Sequence, residues 1–421
     1  MLKSNKIKIV LGVFLLVQIS LSAQNNTNSP YTRYGFGDLG DRSFGAGRSM
    51  GGIGYGLRSS RQINPMNPAS YSSMDSLTFM FDAGASFHFS WYNDGTNNQR
   101  NINGNLEYFA MQFPVWRKMR LAMSAGILPF SHVGYHYGTV DDNNLVVEIF
   151  KGTGGLSEVY AGISVELWPK RLAVGVNVGY LFGEVSHTSQ TTMSGDANNP
   201  EAYDLYTRKL VNVHNLKYDF GVQYIHPLSK TERLTFGLAY SPKLNLRTKS
   251  LDQISRDSYY YTLIQSDTLV NNGFNTPDSY GFGLSYTKDF VTILAADVSF
   301  QRWSDAKFYN RDGEFNDRLR IGAGAEYIPN NFNRLYLNRV RYRAGAHYTS
   351  SYLQVNGAGY DEYGVTLGAG FPMVDNRSFI NASFDYVKIV PGSKTMINEQ
   401  YFRFTLSYTF NELWFFKRKM D

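Results

Sequence analysis

Hydrophobic and polar residues alternate along most of this chain. In YFRFTLSYTF, Phe402, Phe404, Leu406, Tyr408 and Phe410 fall on one face, and Arg403, Thr405, Ser407 and Thr409 on the other. A strand sends successive side chains to opposite sides, so such a segment has one apolar and one polar face. LTFMFDAGASFHFSW repeats the pattern, with Phe79, Phe81, Ala83, Ala85, Phe87, Phe89 and Trp91 on its apolar face. DRLRIGAGAEY and VRYRAGAHY place Arg318, Arg320, Arg341 and Arg343 on their polar faces. The pattern predicts fourteen strands, near 76–92, 104–116, 119–138, 157–168, 171–187, 207–228, 232–248, 276–287, 290–303, 317–328, 340–354, 359–372, 377–389 and 398–411.

The intervals between strands alternate as well. One set is short, as at Pro169-Lys170 and Lys288-Asp289, with 329–339 as the exception; the other is longer, at 93–103, 139–156, 188–206, 249–275, 304–316 and 390–397. Short turns at one end and long loops at the other, with an even strand count, are the pattern of an antiparallel transmembrane β-barrel. The apolar faces then meet lipid. The arginines must face the lumen, because a charge on the lipid side costs several kcal/mol near the midplane.

Composition supports this. The chain has 31 tyrosines, 29 phenylalanines and 39 glycines but no cysteine, so disulfides play no part in its stability. Lys3, Lys6 and Lys8 precede an apolar run from Ile9 to Ile19, and Leu21-Ser22-Ala23 follows, which reads as an export signal over 1–23. No later run of about 18 apolar residues suggests a helical span. Removing three lysines takes the formal charge from +6 to +3. No basic patch interleaved with aromatics appears, so nucleic acid is not an expected partner.

Residues 24–75 do not alternate. Nine glycines between Gly35 and Gly56 are punctuated by Tyr31, Tyr34, Phe36, Phe44, Met50, Ile53 and Tyr55. So much glycine disfavours a strand pair, and so many aromatics disfavour a solvated leader. An irregular hatch held inside the lumen fits, since non-helical backbone is tolerated at membrane depth when protein surrounds it. The expected architecture is therefore all-β: a 14-stranded barrel over 76–411, a lumenal hatch over 24–75 and a periplasmic tail over 412–421.

The stretch FGAGRSMGGIGYGLRSSRQINPMNPASYSSMDSLTF, with Asn67-Pro68-Ala69 just before the first strand, resembles the hatch of FadL-type outer-membrane transporters of hydrophobic compounds. FKGTGGLSEVYAGIS and the closing ELWFFKRK are similar to members of the Bacteroidetes type. The resemblance implies passive uptake of long-chain fatty-acid-like molecules, with capture at the outer loops, passage to a lumenal pocket and sideways exit through a kinked third strand. Pro129 stands in the middle of that strand and removes a ladder hydrogen bond. The two Asn-Pro pairs are expected to form the hinge from hatch to barrel.

Candidate capture residues are Leu145, Val147, Ile149 and Phe150, with Tyr259, Tyr261 and Leu263. Arg318, Arg320, Arg341 and Arg343 suit an anionic head group, or serve as paired charges that tie down the hatch. His132 and His136 share a face but lie roughly 13 Å apart along a strand, too far for joint metal ligation. No metal or other cofactor is expected. No nucleophile-elbow motif appears, so enzyme chemistry is not indicated. Expected partners are outer-membrane lipid, a hydrophobic ligand and possible envelope proteins. The alternative is a non-transporting barrel serving an outer-membrane secretion or assembly complex.

Overall fold

The alternating segments form strands that close on themselves. The computed structural model describes residues 27–116, 118–140, 146–193, 203–257, 261–270, 273–289, 291–311, 313–331, 333–355, 357–394 and 396–414. The expected signal segment lies outside the described residues, as does 415–421 of the expected tail. Fourteen antiparallel strands make the wall. They are β1 (Thr78–Asn93), β2 (Asn98–Trp116), β3 (Leu121–Val140), β4 (Val146–Trp168), β5 (Leu172–Met193) and β6 (Tyr203–Pro227). β7 has two pieces, Glu232–Ser241 and Thr248–Asp257, and β8 likewise has Tyr261–Val270 and Ser279–Lys288. There follow β9 (Thr292–Gln301), β10 (Arg318–Tyr327), β11 (Arg341–Ser350), β12 (Tyr360–Pro372), β13 (Phe379–Pro391) and β14 (Asn398–Leu413). Neighbours in sequence are neighbours in the sheet, and β14 pairs with β1 to close the barrel.

The faces are as the alternation predicts. Leu406 and Tyr408 are exposed on the outside of β14, while Thr405, Ser407 and Thr409 are buried on the inside. β9, β10 and β11 are ten residues each, the length needed to cross a bilayer at a tilt.

Several of the expected long loops are largely strand where they are described, although 304–316 and most of 390–397 are not. Asn98 already belongs to β2, so the interval expected at 93–103 shrinks to a turn at Asp94–Asn97. β4 and β5 run up to Val146 and Met193, and much of 249–275 is the hairpin formed by the second piece of β7 and the first of β8. These extensions rise beyond the lipid. No bilayer demands an apolar face there, which is why alternation fades and the sequence reads as loop.

The strand expected over 232–248 is interrupted. At Pro242 the chain leaves the wall, and Pro277 marks the matching break in β8. Proline cannot donate to a ladder, so both stretches turn inward. They bury Leu246 and Phe274. Phe274 joins Phe36, Trp303, Phe308 and Phe315 in an aromatic cluster within the barrel mouth, with ring centroids 5.2–6.4 Å apart in the pairs Phe274–Phe308, Phe36–Trp303 and Phe36–Phe274.

Below that cluster the N-terminal segment fills the lumen. It contains 3₁₀ turns at Pro30–Arg33 and Pro68–Ser73 and one helical turn at Gly45–Arg48. Its charges meet inward-facing charges of the wall: Arg48 to Glu107 at 3.0 Å, Arg58 to Glu166 at 2.8 Å and Arg42 to Asp219 at 2.7 Å. In return, Asp297 of β9 accepts the backbone N–H groups of Tyr55 at 2.7 Å and Gly56 at 3.4 Å. Buried charges persist only when paired in this way.

Asn67 is fully buried. Its Nδ2 donates to the carbonyls of Tyr55 at 2.9 Å, Val222 at 3.2 Å and Leu238 at 3.3 Å, and its Oδ1 accepts from the Ala69 N–H at 3.1 Å. Asn64 ties Gly54 and Leu57 by its own side-chain amide. Both asparagines thus act as staples as well as turn formers. Asn67 caps the 3₁₀ turn that leads to β1 and pins the segment to β6 and β7.

Candidate functional site at the open seam between β2 and β3

Pro129 stands where the wall comes apart. The β2–β3 ladder runs from Trp116 opposite Leu121 to Phe109 opposite Ile127 and goes no further. Residues 98–108 of β2 and 128–140 of β3 are not laddered to each other across this seam. On its other side β3 stays paired to β4, with a register slip at Phe130 between Pro129 and Ser131. A proline without an N–H, followed by an extra residue, is sufficient cause for such a bulge.

The N-terminal segment takes the place that β2 vacates. Asp38 and Leu39 pair antiparallel with His132 and Ser131, and the Gly40 N–H donates to the Phe130 carbonyl at 2.9 Å. Thr32 also meets the Gly134 backbone, with its hydroxyl donating to the carbonyl at 3.1 Å. Gly37 makes this approach possible. Its φ is +85°, and a Cβ there would lie 2.3 Å from the His132 carbonyl oxygen.

Across β3, Gly155 has φ +152°, and a Cβ would lie 2.4 Å from the Ser131 carbonyl oxygen. The GTGG stretch that resembled a family signature therefore sits against the same kink. Sequence reading had the motif but not its neighbour.

A groove of about 750 Å³ opens along the seam. Leu106, Ile127, Leu128, Pro129, Val133 and Leu156 supply its apolar lining, and Glu107, His132, Lys151 and Glu184 its polar lining. Ile102 and Leu106 on the open edge of β2 are 70 % and 67 % exposed, so the outer lip of the groove is greasy. Pro129 also lines a smaller central cavity of about 110 Å³ bounded by Leu39, Arg42, Met66, Phe130 and Trp303.

The other candidate residues are dispersed. Val147, Ile149 and Phe150 lie on the upper part of β4, where the Arg33 guanidinium covers the Phe150 ring at 3.7 Å. Leu263 is exposed on the upper piece of β8, separated from β4 by three strands. Tyr261 begins that piece, and Leu145 and Tyr259 lie outside the described residues. Arg341 and Arg343 both hold Glu326, at 3.1 and 2.7 Å, and Arg320 faces Asp41 at 3.5 Å. Arg318 makes no ion pair among the described residues.

A closed fourteen-strand barrel, filled by its N-terminal segment and with its wall broken at the third strand, defines the class: an antiparallel β-barrel of the outer-membrane type. The chain belongs to the BamG family, whose model matches residues 1–421. Solved structures share the fold at low identity. The Ralstonia pickettii toluene transporter TbuX is 17 % identical with a TM-score of 0.60, covering 88 % of this chain and 98 % of that one. The Pseudomonas putida toluene transporter TodX is 15 % identical with a TM-score of 0.58, covering 90 % and 100 %. A Pseudomonas aeruginosa FadL homologue is 12 % identical with a TM-score of 0.55, covering 89 % and 99 %. No curated protein matches the chain.

Proposed function

We propose that the protein is an outer-membrane channel for hydrophobic small molecules, long-chain fatty-acid-like compounds among them, which pass sideways through the β2–β3 seam. One observation carries this reading: the ladder stops at Phe109–Ile127 beside an apolar-lipped groove, and Pro129 borders both groove and central cavity. Pockets for such ligands are concave and mainly apolar with few polar groups. In this reading residues 1–23 are the cleaved signal, 24–75 the hatch and 76–411 the barrel, whose last strand carries on to Leu413, and the rest of 412–421 is a periplasmic tail, with both termini periplasmic. Solved relatives in fold include toluene transporters, which supports a hydrophobic cargo. No catalytic step is invoked.

The test uses the absence of cysteine. Leu106→Cys and Ile127→Cys, both on the groove, are bridged by a bismaleimide, and uptake of labelled toluene and laurate into proteoliposomes is measured. Bridging should abolish uptake; unchanged uptake would sink the seam as the route.

The packed lumen favours a second reading. Buried ion pairs and the aromatic cluster fill it, and the central cavity of about 110 Å³ holds only several waters. A permanently plugged barrel suits a structural or accessory subunit of an outer-membrane secretion or assembly complex. Purification in mild detergent as a complex of fixed stoichiometry, together with indifference to seam bridging, would establish it over transport.

A further inference from the structure

The wall has a second break, four strands round the barrel from the seam. β6 pairs with the lower piece of β7 from Pro227–Arg233 to Phe220–Tyr240, and with the upper piece from Val213–Thr248 onward. Residues 214–219 of β6 have no ladder partner in β7. Among the described residues the edge is held at its ends: the His214 N–H donates to the Arg247 carbonyl at 3.1 Å, the Asn215 side-chain amide to the Asn245 carbonyl at 2.9 Å, and the Ser241 hydroxyl to Asp219. The ten residues of the lower β7 piece are enough to cross the bilayer, so this break lies near one membrane interface.

Behind the break lies the central cavity, which Ser241, Pro242, Thr276 and Pro277 border. Its lining carries four cations, Arg42, Lys217, Arg318 and Arg320, against two carboxylates, Asp41 and Glu158. Asp219, just behind, joins Glu158 in neutralising Arg42 and Lys217, and Asp41 faces Arg320. Arg318 is left over. Asp38 and Glu362 act on it from beyond ion-pair distance, and like-charged Arg320 stands two residues along the same inward face. A guanidinium at the edge of this cavity, with no carboxylate in contact among the described residues, is a ready anion partner through its planar fork.

We propose that this cavity is an anion site, with the Arg318 guanidinium as its binding group and the β6–β7 break as its entrance. The occupant is a carboxylate or phosphate, free or as the head group of an amphipath. The cavity volume of about 110 Å³ admits the head group alone, so an amphipath's tail must lie in the break. This does not depend on transport through the β2–β3 seam.

The test is charge-selective labelling of Ser279→Cys, which borders the cavity beside the break, in the full-length protein in neutral detergent. An anionic methanethiosulfonate reagent (sulfonatoethyl) is compared with a cationic one (trimethylammonioethyl). The rate ratio is normalised to Thr96→Cys in the exposed turn. The anionic reagent should be favoured about tenfold. R318Q should remove that preference and R318K keep most of it, with the ratio at Thr96→Cys unchanged. Protection by inorganic phosphate would identify a free anion, and protection by dodecanoate alone an amphipath. A Ser279→Cys variant that takes up neither reagent, a ratio indifferent to R318Q, or protection by neither anion would overturn the proposal.

Discussion

Between β14 and β1 the ladder runs from Asn398 opposite Asn93 to Leu413 opposite Thr78 without a slip, whereas between β2 and β3 it ends at Phe109 opposite Ile127. Both seams join strands that alternate well. The intact seam offers an unbroken row of donors and acceptors, and its inner face buries small hydroxyls such as Thr405, Ser407 and Thr409. At the open seam Pro129 withdraws a donor, and β2 bulges at Glu107, which lies between Tyr108 opposite Gly84 and Leu106 opposite Ala85. That bulge aims Glu107 at Arg48 of the N-terminal segment. Alternation therefore decides which face meets lipid, while single interruptions decide where a wall stays open and what the plug grips.

The largest effect should come from breaking that grip. Glu107→Ala leaves Arg48, 1 % exposed, without its carboxylate. Stranding one member of a buried pair costs about 3–5 kcal/mol. We expect a matching fall in stability by denaturant titration in detergent, and rapid proteolysis of the N-terminal segment. The apolar double replacement R48M/E107L should recover most of the loss. Recovery would show that the pair matters through desolvation; equal loss in both variants would mean that the segment is held mainly by its other ties.

An intermediate effect should come from the strand that fills the gap. Gly37→Ala places a methyl against the His132 carbonyl in a left-handed conformation, which costs about 1–2 kcal/mol before any clash. Exchange of the Gly40 amide, bonded to the Phe130 carbonyl, should speed up roughly 5- to 30-fold. Amides in the β14–β1 ladder should not change. A uniform rise across the barrel would instead mean global loosening.

The two seams also mark how far the sequence could be read. Phe402, Phe404 and Leu406 announced their lipid face directly, because the bilayer imposes period 2 on every strand it touches. Beyond the bilayer the rule lapses, so TKSLDQISRD and YTLIQSDTLV read as loop although they form a hairpin. Pro129 was legible as a kink. Pro242 and Pro277 carry the same signal at the second break, but the expected strands over 232–248 and 276–287 run through both of them. Pairing partners are tertiary facts. Nothing in the chain said that Asp38 and Leu39 would stand where β2 stops, that Asn67 would reach Val222 and Leu238, or that Arg318, alone of the four candidate arginines, would have no carboxylate in contact among the described residues. The residue types were visible, but the partners that Asp38, Leu39 and Asn67 find lie more than ninety positions away.

The smallest effect separates two causes of the open seam. If Pro129 alone keeps β2 and β3 apart, restoring an N–H with Pro129→Val should let the ladder grow past Ile127. If the N-terminal strand holds β3's edge, the seam should stay open. The structure favours the second, since Asp38, Leu39 and Gly40 already occupy the backbone of residues 130–132. One added hydrogen bond is worth about 0.5–1.5 kcal/mol, too little to displace several existing ones. Reaction of Leu128→Cys with a membrane-permeant maleimide is the readout, because Leu128 lines the groove. The rate should be unchanged by Pro129→Val alone and should fall when Gly37→Ala is added, because the freed edge can then pair with β2. Protection in the single Pro129→Val variant would make the proline the sole wedge and the N-terminal strand a passive filler.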